Sequence, residues 1–108
     1  MNNLKLYSLL AVYIHKEMIS EIIESLIILW AGKDSSYPTE ETTNQNIKLL
    51  LNEPWFQRLF SEHTKLFLEN RDLRYIIGAA KVQTIIDNPK KKQRFEEDLI
   101  HLINLIRK

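Results

Sequence analysis

Residues 4–31 form one long stretch rich in apolar residues that ends at Gly32. Laid out at 100° per residue, Leu4, Ala11, Met18, Ile22, Leu26 and Leu29 share one face, and Lys16, Glu17, Ser20 and Glu24 lie opposite. The pattern predicts one long helix, with Gly32 as its stop because glycine adopts the positive φ of a helix C-terminus without steric cost. Its two ends, Leu6 to Ile14 and Leu26 to Ala31, are apolar on nearly every side. Such ends require cover, from the other helices or from another chain.

Beyond a polar loop at 33–38, Thr39 is placed to cap a second helix, with Glu40 and Glu41 in its first turn and Ile47 and Leu49 to Leu51 as its apolar content. Pro54 suits the first position of a third helix, predicted to run to about Asn70 with Trp55, Phe56, Leu59, Phe60, Leu66 and Phe67 inward. Asp72 opens a fourth, expected to run through Ile86, in which Gly78-Ala79-Ala80 permits close backbone approach to a neighbour. Asn88-Pro89 caps and starts a fifth, with Phe95, Leu99, Leu102, Ile103 and Ile106 on one face. The prediction is an all-α chain, a compact bundle of about five helices with the first long, forming a single domain over 1–108.

Composition narrows the function. Two glycines and three prolines in 108 residues argue against a turn-rich β sandwich. The absence of cysteine excludes disulfides and thiolate zinc sites. The first residues resemble the start of a signal peptide, but no small-residue cleavage site follows and charge returns at His15-Lys16-Glu17. Uncharged runs fall below the ~20 residues of a membrane span, so a buried helix in a cytoplasmic, non-membrane protein is expected.

Net charge is +1, unevenly spread. Residues 1–52 carry four Lys/Arg against six Asp/Glu, whereas residues 53–108 carry eleven against eight. An anion-binding face therefore belongs in the second half.

Catalytic chemistry is hard to place. No Ser/His/Asp set, glycine-rich phosphate loop, paired-carboxylate site or metal-ligand spacing is present, so no catalytic residue, metal or cofactor is assigned. His63, in the middle of the predicted third helix, reads as a hydrogen-bonded core residue, since its face holds no second ligand. Arg58 with His63 and Arg94 with His101 fit the loose Arg-x(4–6)-His pattern of helical RNases of the HEPN class. Neither arginine is followed by that family's usual polar residue, and Arg58 and His63 point about 140° apart on a continuous helix. Glu96-Glu97-Asp98 reads as a solvated face of the last helix.

The sharpest local conflict is Lys90-Lys91-Lys92 with Arg94. These cations occupy the first turns of a helix, at the positive end of its dipole, where each is disfavoured by ~0.3–1 kcal/mol. The free N–H groups of such a terminus also attract anions, so the run reads either as a contact to a nucleic-acid backbone or as a solvated loop edge that tolerates the small cost. Arg71, Arg74 and Lys65, together with Lys81, extend the candidate surface.

The order of features resembles the small, all-helical subunits of type I CRISPR effector (Cascade) complexes and the related C-terminal helical domain of their large subunits. The similarity rests on the long first helix, the loop through Tyr37-Pro38-Thr39 to Asn46 and Leu50, and the Pro54-Trp55-Phe56 helix start. It continues through Arg74-Tyr75 and the basic segment feeding a helix with Phe95, Leu99 and Ile103. The resemblance implies a non-enzymatic role: copies of the subunit, beside the backbone subunits, hold crRNA–target duplex or displaced strand through phosphate contacts and stabilise the R-loop. It also makes the apolar ends of the first helix contacts to other protein subunits, including further copies of itself. Two alternatives stand beside it: a small cytosolic protein-binding bundle (an immunity, inhibitor or adaptor protein) and a HEPN-like RNase.

Overall fold

The computed structural model describes the backbone of residues 3–107 and the side chains of 8–13 and 15–107; Leu4, Leu6 and Ile14 of the predicted first helix lie outside the described side chains. The described residues form an all-α fold of seven helices, five of them long, with the first by far the longest. They are α1 (Asn3–Ala31), α2 (Glu40–Leu50), α3 (Pro54–Glu62), α4 (Thr64–Glu69), α5 (Arg71–Ala79), α6 (Val82–Ile86) and α7 (Pro89–Ile106).

The predicted punctuation is present in atomic detail. Gly32, at φ 103°, ends α1, and its N–H donates to the carbonyls of Ile27 and Ile28. Thr39 Oγ1 accepts from the Thr42 N–H, and Asn88 Oδ1 accepts from the N–H groups of Lys90 and Lys91. Pro54 and Pro89 occupy helix starts, where a missing N–H costs nothing. The cap before α5 is Asn70, whose Oδ1 accepts from the Leu73 N–H, with Asp72 inside the first turn.

Two predicted helices are each broken in two. The expected helix over 54–70 divides at His63 (φ −133°, ψ 34°) into α3 and α4. Packing explains the break. Residues 56 and 67 on a straight helix stand ~16 Å apart along the axis, yet the Phe56 and Phe67 rings meet at 5.1 Å between centroids. The chain bends so that Phe67 folds back on Phe56 and Phe60, closing a cluster that Trp55 extends to Phe95. His63 is thus the corner residue and not a mid-helix one.

The helix expected over 72–86 divides at Ala80 (ψ 148°) into α5 and α6. The carbonyls released there are not orphaned, because Asn46 Nδ2 donates to Ile77 at 2.9 Å and to Gly78 at 3.1 Å. Close approach at Gly78 is equally plain: a Cβ there would overlap the Thr43 side chain and the Pro38 ring.

Leu50, Phe56, Phe67, Leu73, Ile77, Phe95 and Leu102 are wholly buried and form the centre of the core. The side of α1 that joins it is rotated from the predicted one. Ile23 and Trp30 are buried, with Ile19, Leu26 and Ile27 packed against them, whereas Met18 and Leu29 are 54% and 50% exposed. Trp30 decides this orientation. Its ring packs edge-on against Phe95 at 5.0 Å, and its Nε1–H donates to Asp98 Oδ2 at 2.9 Å. Asp98, expected in a solvated acidic run, is accordingly half-buried and engaged.

The first half of α1 is not the buried helix that was expected. Among its described side chains through Met18, all are exposed except the half-exposed His15. A helix of 29 residues is ~43 Å long, and it accounts for the elongated extents of 56 × 31 × 27 Å.

Candidate nucleic-acid interface

Three elements meet at the end of the molecule where α1 stops. The Lys81 N–H, between α5 and α6, donates to the Trp30 carbonyl at 3.2 Å. That bond seats the link between α5 and α6 against the C-terminus of α1 and places Lys81 beside the start of α7. The result is a groove of about 410 Å³. Its floor is apolar, made by Leu29, Trp30 and Ile85, and Lys81, Lys90, Lys91 and Arg94 surround it.

Among the described residues, no carboxylate lines this groove. Among the described residues, none of its four cations is within ion-pair distance of an acid. Nearby acids are turned to other donors: Asp98 to Trp30, Asp87 to Gln83, and Glu97 to Gln93. Lys90 and Arg94 also border an adjoining hollow with Glu97 and Asp98, whose charges offset part of theirs.

One element of the sequence argument changes. The N–H groups of Lys90 and Lys91 already donate to Asn88 Oδ1, the Lys92 N–H donates to the Asn88 carbonyl at 2.8 Å, and Pro89 has none. The first-turn amides are therefore occupied, and any anion here is held by side chains.

The seven candidate residues separate into groups. Lys90, Lys91 and Arg94 share the groove. Lys92 turns away to Glu53, at 3.1 Å. Arg71 lies over the Tyr37 ring, 5.1 Å from its centroid. Lys65 lines a different hollow with Arg107, His63 and two glutamates. Arg74 is corrected outright. It is 6% exposed, and its guanidinium donates to the Phe67 carbonyl at 2.8 Å, Glu40 Oε1 at 3.0 Å and Asn44 Oδ1 at 3.1 Å. It ties α2, α4 and α5 together and has no face to offer a ligand.

Leu29, Trp30 and Ile85 were not legible as groove residues. The signal for Trp30 was its spacing, seven residues after Ile23 and four after Leu26; that Lys81 reaches it is a tertiary fact.

Arg58 and His63 border different hollows, with Glu62 common to both. Arg58 lines a hollow with Trp55 and Glu96, and His63 lines the one with Lys65 and Arg107. Among the described residues, no group of three or more His, Asp or Glu is arranged to hold a metal, and no helix is long and apolar enough to cross a membrane. Against protein-family models, curated proteins and solved structures alike, the chain finds no match.

Proposed function

We propose that the protein is a non-catalytic, nucleic-acid-binding subunit that grips the phosphate backbone at the groove between α1, α6 and α7. The observation that carries this reading is a set of four cations, Lys81, Lys90, Lys91 and Arg94, that line one recess and have no ion-pair partner or lining carboxylate among the described residues. Backbone binding needs fixed cations on rigid elements and no reactive group. With the sequence resemblance, the reading extends to a small helical subunit of a CRISPR-type ribonucleoprotein effector, which steadies the guide–target complex. The exposed first half of α1, with Leu9, Leu10, Val12 and Tyr13, serves as the contact to neighbouring protein subunits.

The test is binding of labelled DNA and RNA oligonucleotides across a salt series. The Lys90→Ala/Lys91→Ala protein is expected to bind more weakly, with a slope of log K against log salt lower by about one per lost contact. Tight binding indifferent to salt and to both substitutions refutes the reading.

The same exposed stretch of α1 favours a second reading, a small protein-binding bundle in which the cations only keep the chain soluble. Purification from the native host separates the two: nuclease-sensitive recovery of partners supports the first, and nuclease-resistant recovery of a single protein supports the second.

A further inference from the structure

We infer that the outer face of α1, opposite the side that meets the core, receives an amphipathic helix of a different protein, one with Lys or Arg beside its apolar residues. The inference is independent of the backbone-binding reading and concerns a surface that the groove does not share.

The rotation of α1 leaves this face bare. At ~100° per residue, Leu10, Glu17, Met18, Glu21, Glu24 and Ile28 fall within ~120° of arc, and the buried Ile23 and Trp30 lie on the opposite side. Leu10, Met18 and Ile28 are each half exposed and spread over ~27 Å of the helix. Apolar positions therefore recur along a face that a packed helix can follow over its whole length.

The acids set the partner's charge. Glu17, Glu21 and Glu24 are exposed, and among the described residues none of them is within ion-pair distance of a cation. The positions three and four residues from each hold no Lys or Arg, so the charged neighbours of each acid along the helix are the other acids. Like charges at that spacing weaken a helix. These residues also lie too far from the first turn of α1 for the helix dipole to offset the cost. Cations on an incoming helix reverse it. Phosphate and anionic lipid are repelled by the same acids. A twofold contact between copies sets like charge against like, since both present the same patch. The basic helix of this chain, α7, turns Phe95, Leu99, Leu102 and Ile103 into the core, so a second copy has no such apolar face to bring with its lysines. Exposed ion pairs add modest affinity, so the apolar residues hold the partner and the charges select it.

The probes are three synthetic helices of about 18 residues: a Leu/Lys amphipathic peptide, its Leu/Glu counterpart, and an Ala/Lys peptide without a large apolar face. Binding is followed through the amide resonances of residues 10–28. The Leu/Lys peptide is expected to shift them at a concentration at least about tenfold lower than either of the others. Glu17→Gln/Glu21→Gln/Glu24→Gln should weaken that binding about fivefold and flatten its salt dependence; all three positions are exposed, so the variant keeps its fold. Lys90→Ala/Lys91→Ala should leave it unchanged, which separates this face from the groove. In the native host, a photoreactive benzoylphenylalanine placed at the exposed Ser25 should capture a segment of one other protein in which Lys or Arg recur at helical spacing beside Leu, Ile or Met. Capture of a second copy or of a segment without such cations, no capture at all, or peptide binding indifferent to the three glutamine substitutions overturns the inference and leaves the groove reading standing.

Discussion

Replacing Arg74 with Met keeps much of the buried stem but leaves the Phe67 carbonyl and Asn44 Oδ1 without their donor. A loss of about 2 kcal/mol is expected, most of it from the stranded Phe67 carbonyl. The exposed Glu40 contributes little, because its charge is screened by water. Gly78→Ala acts by a different route. The added methyl meets Thr43, which is 2% exposed and held to the Thr39 carbonyl, so α2 and α5 must separate, at a cost of roughly 1–3 kcal/mol. Thermal unfolding followed by circular dichroism measures both, with Tm falling by several degrees per kcal/mol. Gly78 was legible in the sequence, because Gly-Ala-Ala in a helix signals close approach whatever the neighbour is. Arg74 was not: an arginine two positions after Asp72 reads as a surface charge until its three acceptors are brought around it from distant elements.

At the scale of elements, starts and stops were legible and breaks were not. Gly32, Thr39, Pro54 and Asn88-Pro89 act through bonds to residues a few positions away, so local chemistry suffices to read them. The corners at His63 and Ala80 answer to distant partners, the Phe56–Phe60–Phe67 cluster for one and Asn46 with Trp30 for the other. The rotation of α1 has the same origin, since its last turns, Leu26 to Ala31, are apolar on nearly every side and Trp30 selects among their faces. Trp30→Phe tests that selection. It keeps an aromatic edge against Phe95 but leaves Asp98 half-buried without its donor, a loss of about 1–2 kcal/mol in urea unfolding. Unchanged stability would mean that packing alone sets the orientation of α1.

For the whole molecule, the groove places binding and stability in opposition. Lys90 and Lys91 sit at the positive end of α7 among like charges, so Lys90→Ala/Lys91→Ala should raise stability by a few tenths to about 1 kcal/mol at low salt while it weakens nucleic-acid binding. A thermal scan beside a titration checks both signs. The run that forms half of this site was readable from charge alone, whereas its floor and Lys81 depended on where α1 ends. The other end of α1 has its own consequence. One continuous helix passes from a packed environment around Trp30 to open solvent before Met18. A helical stretch without packing is marginal in water, so amide hydrogens of residues 8–18 should exchange far faster than those of 22–31 along the same helix. Any partner that docks there must also complete the ordering of the stretch. Its association would then carry the large negative heat-capacity change of coupled folding, and slow exchange would spread along α1 only in the complex.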